Sequence, residues 1–364
     1  MTQQRTIALA AGGSGGHFFP AEALARELTS RGHRVVIFTD SRGEKYAERL
    51  GDIQLITLPA TAIGAGIRGK LHTLRTIVTS AVAARKHIKQ LDVRIMIAFG
   101  GYPCFAPAIG AKLAGIPLVL HEQGAKMSLA NQWLLKLCTR LATSFPSVKG
   151  SEKLPPENIV ETGNPVRSEI TALRLQPYSA PTADGPLHLL VTGGSQSANI
   201  FGEIVPPALL SLPEPLRSRI HLSLQYKGEE GDEIAAKLQT VGIQATIAPF
   251  FRDMAERLAR THLVIARAGA TTAAELLVVG RPAIFVPIPQ GGSKEEQLRN
   301  AQTMEAAGAG WCIPQQDFSI ASLSALLADL LTKPAQLIAA AAAAHRLGAP
   351  QAAQKLADLV ENTI

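Results

Sequence analysis

The chain of 364 residues is 46% hydrophobic and 18% charged, and 36 Lys and Arg against 29 Asp and Glu leave a formal net charge of +7 at pH 7. No long biased tract interrupts it apart from the alanine run Ala339 to Ala344, which reads as helix, and no uninterrupted apolar run approaches the roughly 20 residues needed to cross a bilayer. Cys104, Cys138 and Cys312 stand far apart without a CxxC, and the histidines lack ligand spacing, which argues against a structural zinc; the basic balance fits an acidic partner, whether nucleotide phosphates, nucleic acid or an anionic membrane.

The start, Met1-Thr2-Gln3-Gln4-Arg5, lacks the order of a secretion signal, so a cytosolic protein is expected. Thr6 to Ala11 reads as a strand that delivers the loop Gly12-Gly13-Ser14-Gly15-Gly16-His17 to a helix from Pro20 to Ser30, followed by a strand from Arg34 to Thr39. Such a loop aims backbone N–H groups and the positive pole of a helix at one point, which suits a phosphate or a developing anion. His17 at the helix start is either a packing residue or a base, donor or orienter. A dinucleotide fingerprint needs glycine where Phe18 stands, although Asp40 imitates the ribose-binding acid of dehydrogenases; no P-loop lysine motif occurs either.

Strands follow near 54–58, 94–98, 117–121 and 159–162. Between the first two, Leu71, Leu74, Val78, Ala81 and Val82 recur at helical spacing, flanked by Arg68, Lys70, Arg75, Arg85, Lys86 and Lys89. This segment, 63–89, is either a core-packed helix with a solvated basic face or a helix lying on an anionic membrane surface. Phe99-Gly100-Gly101-Tyr102-Pro103 and His121-Glu122-Gln123 both fall at strand carboxyl ends, with His121 and Glu122 either a structural hydrogen-bonded pair or an acid/base unit.

A proline-containing stretch, 164–186, reads as a linker between a first domain over 1–163 and a second over 187–340, with a C-terminal helix in 341–364 expected to pack back on the first domain. The second half repeats the first: strands near 187–192, 219–225, 243–247, 262–266 and 282–286, and a loop Gly193-Gly194-Ser195-Gln196-Ser197 after its first strand. Alternating strands and helices predict an α/β fold of two parallel sheets, with ligands at strand carboxyl ends. Arg267-Ala268-Gly269-Ala270-Thr271-Thr272 is placed to hold a diphosphate at a helix start. Glu275 suits either two ribose hydroxyls or the helix's first turn, and Gln297 and Asn300 suit sugar hydroxyls or a solvated face.

Taken together and in order, Gly-Gly-Ser-Gly-Gly-His, Gly-Gly-Tyr, His-Glu-Gln, Gly-Asn-Pro-Val-Arg, Gly-Gly-Ser-Gln, Arg-Ala-Gly-Ala-Thr-Thr and Gln-x-x-Asn-Ala resemble the MurG glycosyltransferases over almost the whole chain, from Ile7 to Gly310. The resemblance implies a GT-B fold, two Rossmann-like parallel-sheet domains facing a deep cleft, with the first domain on the acceptor and membrane side and the second binding the UDP-sugar. It implies an inverting transfer of GlcNAc from UDP-GlcNAc to the C4 hydroxyl of MurNAc in undecaprenyl-linked lipid I, giving lipid II and UDP for peptidoglycan. No metal or other cofactor and no nucleic acid are implied, and the location is peripheral, on the cytoplasmic face of the bacterial inner membrane.

Carried over residue by residue, the resemblance makes His17 a catalytic candidate, with Glu122 acting with it. Ser14, Gly15 and Gly16 correspond, with His17, to the family's loop at the donor sugar and acceptor phosphate, and Gly101 and Tyr102 to the acceptor side. Arg167 and Ser195 correspond to donor-contacting positions, Phe251 to a main-chain contact with uracil, Ala270, Thr271, Thr272, Ala273, Ala274 and Glu275 to the diphosphate and ribose segment, and Gln297 to a sugar-reading amide. Two departures stand out. Gly124 replaces the usual asparagine after His-Glu-Gln, with Asn131 the expected substitute, and Ser197-Ala198-Asn199 replaces Gly-Ala-Arg. Rival readings are another GT-B UDP-sugar enzyme, such as a glycolipid synthase or an epimerase, and a non-catalytic nucleotide-sugar-binding protein.

Overall fold

The computed structural model describes residues 4–61, 66–194, 199–291 and 294–364, with Ile67 described by its backbone alone. The chain forms two compact units, one comprising Met1–Arg167 with Ala349–Ile364 and the other Ser168–Gly348.

The first unit runs β1 (Thr6–Ala10), α1 (Gly15–Ser30), β2 (Arg34–Thr39), α2 (Ala47–Leu50), β3 (Gln54–Thr57), α3 (Gly66–Gln90), β4 (Val93–Ala98), α4 (Phe105–Ala114), β5 (Leu118–Glu122), α5 (Leu129–Leu134), β6 (Arg140–Thr143) and β7 (Ile159–Glu161). All seven strands are parallel, in the order β3-β2-β1-β4-β5-β6-β7. The order reverses between β1 and β4, and such a switch point opens a crevice beyond the strand carboxyl ends.

Near-continuous apolar runs such as Thr-Ile-Ala-Leu-Ala and Arg-Val-Val-Ile-Phe-Thr suit strands covered on both faces. Side chains alternate between two cores. Ala8, Val36, Phe38 and Met96 pack with Ala84 and Ile88 of α3 and Ala108 of α4. Ile7, Leu9, Ile37 and Ile97 pack with Phe18, Leu24 and Leu28 of α1. Cutting one such leucine to alanine costs about 2 to 5 kcal/mol.

Helix α1 begins five residues before the proline from which the sequence reading started it; Ser14 is its extended N-cap and Pro20 lies within it. Strand β6, Arg-Leu-Ala-Thr, was absent from the sequence expectation.

The second unit runs α6 (Ser168–Thr171), β8 (Leu187–Thr192), α7 (Asn199–Leu210), α8 (Glu214–Arg217), β9 (Ile220–Gln225), α9 (Gly231–Gln239), β10 (Gln244–Ala248), α10 (Met254–Arg260), β11 (Leu263–Ala266), α11 (Ala270–Val279), β12 (Ala283–Phe285), α12 (Lys294–Ala306), β13 (Gly310–Cys312), α13 (Ile320–Thr332) and α14 (Pro334–Leu347). Its six parallel strands take the order β10-β9-β8-β11-β12-β13, so the switch point recurs between β8 and β11. Strand β13, three residues long, was likewise absent from the sequence expectation.

Of the stretch 164–186, residues 164–167 lie in the first unit and the rest in the second. That remainder is tied down: α6 packs on α11, Arg174 donates to the carbonyls of Val278 and His345 at 3.1 and 2.9 Å, and Arg219 reaches back to the Gly185 carbonyl at 2.8 Å. The chain returns to the first unit at Ala349 and ends in α15 (Ala352–Glu361), whose Leu356 and Val360 join the core beside α1. Arg31 at the end of α1 holds this helix through Asp358 and Glu361 at 2.6 and 2.7 Å. The alanine-rich α14 belongs to the second unit and packs on α11.

The apolar stripe of α3 faces outward except at Ala81. The helix buries small and polar residues (Thr73, Ser80, Ala81 and Ala84, with Ile88), while Leu71, Leu74, Val78 and Val82 are each more than half exposed. Leu113 of α4 and Leu129 and Trp133 of α5 are exposed as well, and α4 packs on both α3 and α5. A core-packed stripe, one of the two readings of this segment, is therefore not what the fold contains. Residues 63–65 of the segment lie outside the described residues.

Candidate active-site loops

In the first unit the loops after β1, β4 and β5 meet at the switch point. Gly13 N–H donates to Asp40 Oδ1 at 3.0 Å, and a Cβ on Gly13 would come within 2.4 Å of the Gly43 nitrogen, so only glycine fits. Asp40 Oδ2 also binds Arg42 at 2.7 Å, and the Arg42 guanidinium lies 5.2 Å from the Tyr102 ring centroid. Asp40 is thus committed to shaping the glycine loop, which removes it as a ribose-binding acid. Cys104 Sγ sits 3.1 Å from the Ala10 carbonyl and 2.9 Å from that of Gly100, joining the β1 and β4 ends, and burial pushes its thiol up to about 12.

His17, in the first turn of α1, lies against Gly100 and Gly101, whose φ values of +85° and +78° aim the backbone at the imidazole. Its Nδ1 is 3.0 Å from Gln123 Oε1. Burial holds its pKa below the ordinary histidine value against the raising effect of Gln123 and of the Phe99 carbonyl, and Arg42 lowers it further. Imidazole in this setting is neutral at pH 7 and able to accept a proton.

Glu122 is not its partner. Its Oε1 accepts from Gly124 N–H at 3.2 Å, and its Oε2 accepts from Ser128 N–H at 2.9 Å and Asn131 Nδ2 at 2.8 Å. Burial raises its pKa, and these donors oppose the rise. The carboxylate is the anchor of the loop between β5 and α5, on the opposite side of the strand from His121 and Gln123, so the expected His17–Glu122 unit does not form. Nor do His121 and Glu122 pair: His121 Nε2 meets the Gly163 carbonyl at 3.0 Å, and burial pushes the His121 pKa down to about 4. Asn131 spends its amide N–H groups on Glu122 and the His121 carbonyl, leaving Oδ1 buried without a partner. Strand alternation contains the signal for Gln123, since residues 121 and 123 must share a face and 122 must oppose them.

Ser14 caps α1, Gly15 is buried in its first turn with Gly16 beside it, and Tyr102 and Gly101 line the neighbouring loop. Arg167 is in the same unit with its guanidinium 4.5 Å from the Phe19 ring centroid, a cation–π contact.

The second unit repeats the device. Thr192 Oγ1 donates to Gln225 Oε1 at 2.6 Å and accepts from Gly194 N–H at 3.2 Å, while Gln225 Nε2 donates to the Pro249 carbonyl at 3.3 Å, tying the ends of β8, β9 and β10 together. Across the switch point, Gly269 is the extended N-cap of α11 with no side chain capping it, and the first ladder bond is Ala273 N–H to the Gly269 carbonyl at 2.9 Å. The positive pole of α11 therefore opens at Ala270, Thr271 and Thr272, and a Cβ on Gly194 would lie 3.8 Å from Thr272 Oγ1. Ala273 is buried in that first turn; Ala274 and Glu275 follow on its partly accessible side. Ser195 and the Ser197-Ala198 departure lie outside the described residues.

Three second-unit candidates have jobs the sequence did not reveal. Gln297 Oε1 accepts from Ile288 N–H at 3.2 Å and Asn300 Nδ2 donates to the Ala268 carbonyl at 3.0 Å, so both steady loops around the α11 pole. The Phe251 ring is buried under the Arg257 guanidinium, 3.9 Å from its centroid, which leaves only its main chain to meet a ligand. Among the described residues no three His, Cys, Asp or Glu side chains are grouped so as to hold a metal ion.

Residues 7–143 match the glycosyltransferase family 28 N-terminal domain and residues 188–359 its C-terminal domain. A UDP-N-acetylglucosamine--N-acetylmuramyl-(pentapeptide) pyrophosphoryl-undecaprenol N-acetylglucosamine transferase of Rhodospirillum centenum is 47% identical over 97% of this chain and 93% of its own. The transferase of the same name from Paramagnetospirillum magneticum is 45% identical over 100% of this chain and 98% of its own. Among solved structures, Acinetobacter baumannii MurG superposes with a TM-score of 0.77 at 27% identity, covering 98% of this chain and 99% of that one. The calicheamicin glycosyltransferase CalG4 shares the fold, with a TM-score of 0.69 at 18% identity over 100% of this chain and 98% of its own.

Proposed function

The chain belongs to the MurG family of family 28 glycosyltransferases, and from that membership we propose that it moves GlcNAc from UDP-GlcNAc to the C4 hydroxyl of MurNAc in undecaprenyl-linked lipid I. The products are lipid II and UDP. The observation that carries the reading is one device built twice: at each switch point a glycine loop after the first strand faces the loop of the strand across the switch, beside a helix start.

Each unit receives its own task. The second takes the donor: the pole of α11 at Ala270 to Thr272 faces the diphosphate, Glu275 the ribose, the main chain at Phe251 the uracil, and Gln297, through its amide N–H groups, the sugar. The first handles the acceptor at Gly101, Tyr102 and the loop Ser14 to His17, with Arg167 its cation toward the donor phosphates. The C4 oxygen forms a bond to C1 as the bond from C1 to the β-phosphate oxygen breaks with inversion. The proton passes to His17, and the electron pair leaves on UDP. Charge grows on the diphosphate, where a helix pole fixed in advance stabilises it without reorganising. No metal is required in this scheme.

Among the described residues no single helix is long and apolar enough to cross a membrane. The outward Leu71, Leu74, Val78 and Val82, with Leu113 and Trp133 exposed nearby, Arg68, Lys70, Arg75 and Lys112 on the same helices and Lys136 just past the end of α5, suit a surface that rests on anionic lipid at the cytoplasmic face, where the acceptor's tail is anchored.

The test is UDP release from UDP-GlcNAc with a short-chain lipid I analogue, run beside UDP-Glc, an acceptor-free control and a chelator. Acceptor-dependent release selective for GlcNAc and indifferent to EDTA is expected. Donor binding without turnover would favour a binding protein, and UDP release without acceptor would favour an epimerase-like reaction.

A further inference from the structure

We propose that Gln123 is the positioning residue that sets the tautomer of His17, keeping the ring proton on Nδ1 and leaving Nε2 bare toward the acceptor. The proposal rests on the reading of His17 as the proton acceptor and deepens it.

A primary amide has one donating end and one accepting end. The donating end of Gln123 is fixed, because its Nε2 lies 3.1 Å from the Phe99 carbonyl, which can only accept. The Oε1 must then face His17, and it does, 3.0 Å from Nδ1. A carbonyl oxygen cannot donate, so the hydrogen between them belongs to Nδ1. A neutral imidazole carries one proton, and Nε2 is left with its lone pair. Glycine at 101 keeps a side chain off the Nε2 edge of the ring, where a Cβ would lie 3.3 Å from Cδ2 and 3.4 Å from Nε2.

The charged and titratable groups around the ring agree with a neutral imidazole. Arg42, fastened to Asp40 and lying over Tyr102, opposes a second positive charge. His121 is itself held neutral by burial. Glu122 is spent on Gly124, Ser128 and Asn131, and among the described residues no carboxylate pairs with His17. An amide orients the ring as a carboxylate would, without the negative charge that raises a neighbouring histidine's pKa. Gln123 is buried among the ends of β4 and β5, so its own position is set by packing and by the Phe99 carbonyl.

The experiment combines two-bond ¹H–¹⁵N spectra of histidine-labelled protein with pH profiles of kcat/KM for wild type, Q123L and Q123E. The expected wild-type spectrum shows His17 protonated at Nδ1. Q123L, checked for folding by circular dichroism, loses that single tautomer and about 10²-fold in kcat, the size of an impaired general base, with KM for UDP-GlcNAc little changed. In Q123E a protonated carboxyl can mimic the amide, and its ionised form holds a proton on His17, so activity survives with the acid limb moved up by about one pH unit or more. Protonation of wild-type His17 at Nε2, or a tautomer that persists in Q123L, overturns the proposal. A tautomer lost in Q123L with undiminished turnover supports the positioning role of Gln123 and overturns His17 as the base.

Discussion

Gly13 and Asp40, 27 positions apart, are joined by a buried hydrogen bond of 3.0 Å from the Gly13 N–H to Asp40 Oδ1, and this bond sets the path of the glycine loop below His17. Asp40→Ala leaves that N–H buried without an acceptor and releases Arg42, at a cost of about 1 to 3 kcal/mol. Asp40→Asn keeps an oxygen for Gly13 and costs less. Urea midpoints of the two variants check the order; equal loss would mean that the Arg42 ion pair, not the loop bond, carries the effect.

The Glu122 carboxylate accepts from the N–H groups of Gly124 and Ser128, from Asn131 Nδ2 and from the Ser128 side chain. Glu122→Gln turns an NH₂ toward one of those donors and is expected to lower stability by about 1 to 3 kcal/mol, with turnover reduced through the displaced loop. Thermal unfolding beside single-turnover rates decides the matter: intact stability with abolished chemistry would restore Glu122 to an acid/base role.

The outward face of α3 predicts a separation of binding from chemistry. Leu74→Glu with Val78→Glu removes two exposed apolar side chains, each worth about 1.5 to 3 kcal/mol if fully buried in lipid, so binding to anionic vesicles should weaken about 10²-fold or more. Turnover of a water-soluble acceptor analogue should not change. Vesicle co-sedimentation is the measurement, and unchanged sedimentation would remove this face as the membrane contact.

In the second unit, His188, His221 and His262 cluster at the amino ends of the strands, with ring centroids 4.9 and 5.4 Å from His188. His262 Nδ1 accepts from His188 N–H at 3.0 Å; burial, then His188, Arg281 and Arg219, hold its pKa down at about 4. Burial, then His221 and Arg260, lower that of His188. Both fall below the ordinary value of 6.5, so the unfolded chain binds these protons first. Their contribution is complete above about pH 6.5 and is lost as pH falls toward 4. Hydrogen exchange in β8 and β11 should quicken between pH 7 and pH 5 after correction for the intrinsic rate, and His262→Asn, which preserves an acceptor for His188, should flatten the change.

Much of this protein is legible without coordinates because the signals are local. Apolar runs bounded by glycine and proline mark the strands, and a glycine loop between a strand and a helix marks each switch point whatever surrounds it. Strands β6 and β13 escaped that reading although the equally short β7 and β12 did not, and the start of α1 was hidden because Pro20 resembles a first-turn residue while sitting inside the helix.

The sequence by itself determined the two α/β units, their repeated order and the residue types that gather at strand carboxyl ends, since periodicity and turn chemistry act over a few residues. Tertiary structure alone decided which of those residues meet. Gln123 reaches His17 across 106 positions, Glu122 turns to its own loop, the apolar stripe of α3 faces outward because small residues fill its buried side, and α15 returns to α1 through Arg31. Contacts of that kind depend on which strands and helices lie side by side; alternation along a strand is local, but the neighbour that each face meets is not encoded within a local window of the chain.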